Sequence, residues 1–347
     1  MKRHLLFLAA LLIVNLAASA QKKFSVYAVG FYNQENLFDT CHDEGKKDYE
    51  YLPNKGWNGM KYTNKLRNMS KALADMGTDV LPNVGCAFIG LSEVENHKVL
   101  DALVDQVPLK ARNMKYVHIE GPDRRGIDCA LLYNPSLFSV KNVKLLPYVQ
   151  ELAKDSAFFT RGFLTVRGEM AGDDVAVIVC HWPSRFSGPF YRESAARQVK
   201  VIKDSLLNVN QEMKIFVMGD MNDDPVNKSM HVYLQAKPEI SQVGAGDMYN
   251  PWYNVLAKEG KGTLFYSGNW NLFDQIVITP NLLNKDAKKK DYSSLKYWKS
   301  HIFRRDYLIQ QEGQYKGAPL RTTAGGRWLN GYSDHLPVVM YLVKEKK

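Results

Sequence analysis

Cysteine is scarce in this chain of 347 residues: four, at positions 41, 86, 129 and 180. Their spacings form neither a C-x-x-C pair nor a recurring framework, and no His-x-x-x-His pair occurs, so a tight zinc centre is excluded. Cys129 and Cys180 lie inside strand-like apolar runs and read as small buried apolar residues; spacing leaves any pairing open. Repeats, low-complexity tracts and linkers rich in Pro, Gly or Ser are also missing, which argues against a repeat architecture or strung-out modules. Long apolar runs are absent except at the start. "MKRHLLFLAALLIVNLAASA" has Lys2 and Arg3, an apolar stretch broken by Asn15, and Ala18-Ser19-Ala20. That is the layout of a secretory signal peptide, too short and interrupted for a membrane span. Residues 1–20 are therefore expected to be removed on export to the periplasm or medium. Residues 21–347 are expected to form a single catalytic domain.

What is present is a globular composition, 45% hydrophobic and 24% charged, with a formal net charge of +10 that becomes +8 without Lys2 and Arg3. A basic surface suits an anionic partner such as nucleic acid, a phosphorylated small molecule or anionic lipid. Much of the excess falls in a segment around 281–330. Lys285, Lys288, Lys289, Lys290, Lys296, Lys299, Arg304 and Arg305 are interleaved there with Tyr292, Tyr297, Trp298 and Phe303. It reads as a basic insertion, either solvated or substrate-binding. Residues 40–60 read as a second surface excursion.

Short apolar runs recur: "FSVYAVGFYN", "CAFIGLSEV", "MKYVHI", "DCALLY", "DVAVIVCHW", "KIFVMGD", "LFDQIVIT" and "PVVMYLV". Continuous apolar runs of this length are expected for strands covered on both faces. Between them, Leu66, Met69, Leu73 and Met76 recur at helical spacing before Gly77, and Ala195, Val199, Ile202 and Leu206 form a second stripe with Glu193 in its first turn. Strands buried on both faces plus amphipathic helices predict a layered α/β domain.

Six of the runs carry polar residues at one end: Asn33 and Glu35; Glu93; His181 and Arg185; Asp220 and Asn222; Asp274; and Asp334 with His335. Any one of these is ordinarily a turn or cap. Together they put carboxylates, carboxamides and two histidines at element ends, where rigid sheets mount catalytic groups. Oxygen ligands suit Mg²⁺ or Mn²⁺. A hard metal, histidines and cationic side chains together suit hydrolysis at phosphorus. In "FVMGDMNDDP", Asp220 and Asn222 would face one side if the backbone stays extended, while Asp223, Asp224 and Pro225 turn the chain away.

The ordered blocks "NQENLF", "SEVEN", "RGIDCALLY", "HWPSR", "GDMND" and "SDHLP" resemble the endonuclease/exonuclease/phosphatase superfamily. They are similar to its exonuclease-III-like and deoxyribonuclease-like members and to an exported bacterial branch. The likeness runs from about Tyr27 to Tyr341. It implies a four-layer α/β/β/α sandwich, two packed mixed sheets flanked by helices, with the site at one end. It further implies that Glu93 is the principal metal ligand, with Glu35 and Asp334 beside the metal and Asn33 in the surrounding network. Asp220 would orient or deprotonate the attacking water, and Asn222 would hold nucleophile and phosphate. His335 would contact the scissile phosphate with Asp274 orienting its ring. His181 would assist at phosphate or leaving group; its carboxylate partner has no clear match, and Asp128 is the candidate by motif order. Arg161 and Arg185 would bind phosphate. The expected activity is metal-dependent phosphodiester hydrolysis on nucleic acid by a monomer without a stable protein partner. A phosphomonoesterase, a sphingolipid or inositol-phosphate hydrolase, and a non-catalytic phospholigand binder are the alternatives. Mass spectrometry of the exported protein is expected to find Gln21 at the N-terminus; an intact Met1 contradicts the leader.

Overall fold

The computed structural model describes residues 23–152, 158–286 and 288–346. The expected leader at 1–20 lies outside them. Strands β1 (Phe24–Leu37), β2 (Phe88–Val94), β3 (Lys115–His118) and β4 (Asp128–Tyr133) come first, followed by β5 (Phe138–Leu146), β6 (Phe163–Met170), β7 (Asp173–His181) and β8 (Lys214–Asp220). Then come the short β9 (Ala236–Lys237) and β10 (Met248–Tyr249), a hairpin of β11 (Leu264–Tyr266) and β12 (Asn269–Asn271), β13 (Asp274–Ile278) and β14 (Lys296–Ile302). A small hairpin of β15 (Thr323–Ala324) and β16 (Arg327–Trp328) precedes β17 (Val338–Glu345). The α-helices are α1 (Gly59–Asp75), α2 (His97–Val104), α3 (Val107–Ala111), α4 (Pro189–Val209) and α5 (Trp252–Ala257).

The strands form two large mixed sheets, ordered β14-β17-β1-β2-β4-β3 and β5-β6-β7-β8-β13-β10-β9. The alternation of side chains along each strand explains the layers. On β1, Val29 and Phe31 enter the core between the sheets while Ala28 and Tyr32 face α1 and α2. On β8, Phe216 and Met218 enter that same central core, while Ile215 and Val217 meet α4. Because both faces are covered, both registers must be apolar, and the strand reads as a continuous apolar run. Each fully buried Phe or Met in the central core contributes roughly 1.5–3 kcal/mol. The result is the four-layer α/β/β/α sandwich.

Helix α1 starts where the Asn58 side chain accepts from the Lys61 amide and stops before Gly77, whose φ of +80° suits a residue without Cβ. Helix α4 begins at Pro189, six residues before Ala195, so Glu193 is in its second turn rather than its first. Cys129 and Cys180 are buried, on the central and helix-facing sides respectively, and all four cysteines are free thiols.

The basic segment around 281–330 is not one surface insertion. Residues 296–302 are the edge strand β14, paired antiparallel with β17. Lys288, Lys289 and Lys290 stand at the other end of that sheet: Tyr292 nearby accepts from the Glu345 amide and its ring meets Phe24. The length of β17, about 25 Å at ~3.3 Å per residue, separates this end from the end where Asp334 and His335 enter. The excursion at 40–60 is irregular over 40–48 and then holds two single 3₁₀ turns, Tyr49–Tyr51 and Pro53–Lys55, before α1.

The parallel pairs β1/β2 and β7/β8 carry their C-terminal ends to one edge of the sandwich. There the register lines up His181 with Asp220 and Asp220 with Asp274. Gly219 precedes this row because a Cβ there would stand 2.2 Å from the Cys180 carbonyl oxygen of the neighbouring strand. Gly219→Ala is expected to cost about 1–3 kcal/mol of stability by overpacking, read as a lower denaturation midpoint; an unchanged midpoint would show that the two strands can separate freely.

Candidate active site

Asp220 is the hub. It ends β8, is 2% exposed, and accepts from the Asn33 amide at 3.0 Å and from the Asn222 backbone N–H at 2.9 Å. Burial pushes its carboxyl above the usual range and Asp274 adds to this; His335, the Asn222 N–H and the Asn33 amide pull it back. His335 Nε2 lies 3.9 Å from Asp220 Oδ2, and His181 Nε2 lies 3.7 Å from the same oxygen.

The two histidines are driven in opposite directions. Burial alone lowers the pKa of His335, but the Asp274 charge and hydrogen bond, with Asp220 and Asp334, outweigh it and hold the ring well above its ordinary value. The Asp274 contact is 2.7 Å at Nδ1, leaving Nε2 directed toward Asp220. His181 has no such anchor. Its Nδ1 is buried without a partner, and burial, Arg161, Arg125 and His335 hold its pKa well below the ordinary value. The expected partner Asp128 is engaged elsewhere: it accepts from the Gly121 amide and lies 3.1 Å from His118 Nε2. Two rings driven to opposite protonation states thus flank one carboxylate.

The backbone at these strand ends departs from the extended form. Glu35, Asn36, Glu93 and Asn222 have φ between 46° and 60°, a conformation costing non-glycine residues on the order of 1–3 kcal/mol each. The first three coincide with register shifts between β1 and β2 and between β2 and β4; such bulges re-aim side chains. Asn222 does not follow Asp220 in extended backbone. The chain turns left-handed there, and the Asn222 amide donates to the Trp182 carbonyl at 2.9 Å. Asp223 and Asp224 are clamped by arginines, Arg192 at 2.8 Å and Arg185 at 2.8 Å.

A cavity of about 260 Å³ is lined by Glu93, Arg125, Arg161, His181, Asp220 and His335, with Asn222 also on its wall. Glu93 accepts from the Asn36 N–H at 3.0 Å and lies 3.7 Å from His181 Nε2. Glu35 and Asp334 sit beside this group, bridged by Arg321 at 3.2 and 3.1 Å, and Glu35 also accepts from the Thr322 N–H at 2.6 Å. Beneath them Lys65 is fully buried, bonded to Thr322 Oγ1 and the Tyr332 carbonyl; burial pushes its pKa down to about 8 against the opposing pull of Glu35, Asp334 and Glu93. Arg161 reaches the cavity while held by Asp123 and the Trp182 carbonyl. Arg185, expected to bind phosphate, is instead spent on the turn, with Asp224, Asn227 and Asn271 as side-chain partners.

Sequence reasoning passed over Arg125, Arg321 and Lys65. Arg125 heads the block "RGIDCALLY", so the signal was a cation one turn before β4. Arg321 and Lys65 have no local signal: Lys65 bonds Thr322 and Arg321 bonds Glu35, each more than 200 positions away, while Asp334 is the nearer partner of Arg321, 13 positions on.

Asp220, Asp274 and His335 are close enough that one atom of each could share a metal ion. However, Asp274 and His335 Nδ1 are already committed to one another. The oxygen-rich remainder, Glu93 with Asp220 and the carboxamides of Asn33 and Asn222, fits a hard divalent cation better.

The fold and site define an α/β/β/α sandwich with a carboxylate–histidine centre at the shared ends of its sheets. Residues 28–344 match the model of the Endonuclease/Exonuclease/phosphatase family, and the chain belongs to that family. Its members are hydrolases of phosphoric esters. No curated protein sequence matches the chain. Solved structures share the fold at low identity. A D. rerio TDP2 humanized by 14 mutations is 12% identical, with TM-score 0.52, covering 91% of this chain and 98% of that one. A Bacteroides thetaiotaomicron endonuclease/exonuclease/phosphatase family protein is 14% identical, with TM-score 0.54 and coverages of 93% and 97%. The mannosyl-6-phosphatase Bt3783 of the same organism is 14% identical, with TM-score 0.53 and coverages of 91% and 99%.

Asp274→Asn keeps the shape and removes the charge that holds the His335 proton. Activity is expected to fall by about 10²-fold or more, and the alkaline limb of the pH–rate profile to move to lower pH, because the ring then loses its proton more readily. A limb that stays in place would remove His335 as the group responsible.

Proposed function

We propose that this chain is an exported, Mg²⁺- or Mn²⁺-dependent hydrolase of phosphate esters. The observation that carries the reading is the buried Asp274–His335–Asp220 row facing neutral His181 across one small polar cavity. Glu93, with Asp220 and Asn33 near it, would hold the cation, which when bound polarises a phosphoryl oxygen and favours deprotonated water. Asp220 orients the attacking water and accepts its proton, a task suited to a carboxyl whose pKa burial has raised. Charged His335 donates from Nε2 to a phosphoryl oxygen while Asp274 keeps the ring oriented. Arg125 and Arg161 add positive potential on the cavity wall. Neutral His181 stands where it can donate one hydrogen bond to the phosphate or departing oxygen.

Nucleic acid as substrate was expected from the basic segment, but Lys288, Lys289 and Lys290 stand far from this cavity. A phosphomonoester or small diester agrees better with an opening of about 260 Å³. The nuclease reading retains one support. Phe159 lines the cavity half-exposed, and Phe186 is fully exposed between Ser184 and Ser187 on its wall; with Arg125 they could stack and hold a single strand. The neighbours' printed activities include both a mannosyl-6-phosphatase and a TDP2 complexed with single-strand DNA product.

EDTA is expected to abolish hydrolysis and Mg²⁺ or Mn²⁺ to restore it across a panel of phosphomonoesters, DNA, RNA and phospholipid headgroup esters. Asp220→Asn and His335→Ala should each be inactive yet folded. Asp224→Asn should be mild, since an amide oxygen can still accept the Leu272 N–H that Asp224 holds at 2.7 Å. Full activity in EDTA would refute the metal-assisted mechanism.

A further inference from the structure

The catalytic cavity, at about 260 Å³, lies below the roughly 300–1,000 Å³ of ordinary ligand sites, and its lining is dominated by the charged groups that would meet a phosphoryl group. A second cleft of about 680 Å³ opens beside it, with room for the alcohol part of a substrate. The two share a boundary: Asp334 lines the second cleft, its neighbour His335 lines the first, and Asp334 Oδ1 lies 3.9 Å from His335 Nε2.

One wall of this cleft is tied to the site and the other is closed on itself. The hairpin β11–β12 is fixed by the Leu264–His335 bridge and by the Leu336 N–H donating to the Thr263 carbonyl at 2.8 Å. Its connection, Ser267-Gly268, has φ of 49° and 80°, the two-residue turn whose twist matches a hairpin. That rigid turn presents Tyr266, 70% exposed, into the cleft. The facing wall is a loop closed by the Ile309–Pro319 bridge and the Gln310–Ala318 hydrogen bond, and it presents Tyr315, 52% exposed, with the amides of Gln310 and Gln314. The floor is the Arg321–Asp334 pair at 3.1 Å. Among the described residues those two are the only charged ones lining the cleft, and they pair with one another.

We infer that this cleft is the subsite for the alcohol part of the substrate and that it takes a neutral, polyhydroxylated ring, as in a phosphorylated sugar or cyclic polyol. The inference rests on the phosphate-ester reading above. Aromatic faces carry partial negative charge and attract the C–H face of a saturated ring. Amides and a carboxylate–guanidinium pair together donate to and accept from hydroxyls, which do both. A polyanionic strand would want a track of unpaired cations, and among the described residues the lining has none.

The test compares a hexose 6-phosphate, a 5′-nucleoside monophosphate and methyl phosphate as substrates with Mg²⁺ present, in the mature chain and in Tyr266→Ala and Tyr315→Ala. The same three ligands are titrated by calorimetry against Asp220→Asn, with and without each tyrosine change. Hexose phosphate is expected to exceed methyl phosphate by at least about tenfold in kcat/KM and in affinity, and either tyrosine change to remove most of that ratio. A ratio near one in the parent, a ratio unmoved by both changes, or a nucleoside phosphate preferred over the hexose phosphate overturns the assignment. A calorimetric preference that the tyrosine changes abolish, without turnover of any ester, supports the cleft and defeats the hydrolase reading. Absence of both turnover and preference defeats the two together.

Discussion

The 2.7 Å contact between His335 Nδ1 and Asp274 Oδ2 is the interaction on which the rest of the site depends. Both residues are almost wholly buried. A buried ring alone would shed its proton; the Asp274 charge and hydrogen bond reverse that and hold the proton on His335. The ring is thereby oriented and charged before any substrate arrives. Asp220, in register with Asp274 one strand away, then faces a fixed cation instead of water. Such preorganisation has to come from the fold, because a flexible loop could not hold a buried ion pair at this spacing.

The surrounding structure serves that constraint. Two parallel strand pairs bring their C-terminal ends to one edge, and left-handed residues at those ends swing Glu35, Glu93 and Asn222 out of the ladder. The loop leading to His335 is secured from below by Lys65 and from the side by Arg321, which ties Glu35 to Asp334. The acidic turn after β8 is secured separately by Arg185 and Arg192. Its crowded carboxylates therefore divide into Asp220, which faces the cavity, and Asp223 and Asp224, which are neutralised by arginine.

Strands with both faces buried were legible because nothing interrupts their apolar runs: "KIFVMGD" is β8 residue for residue. β5 and β6 were not legible. β5 is exposed along one face, and a register shift between Val140 and Asn142 breaks its alternation. The residues of the polar centre stood out because each ends a strand, and the ordered motifs pointed to the right family. What the sequence could not display was which polar groups pair across long separations. Asp128 went to His118, Arg185 to the turn, and the lysines near 289 to the far end of the sheet. Electrostatic partners of this kind are chosen by register and bulge geometry, which a linear reading does not contain.

The two-histidine arrangement can be observed without substrate. Ring nitrogen and carbon resonances of His335 and His181, followed by NMR across pH in metal-free protein, report each protonation state. His335 should remain protonated well above the ordinary histidine value of about 6.5, with His181 neutral well below it. A His335 ring that titrates at or below the ordinary value would contradict the Asp274-held imidazolium and the mechanism built on it.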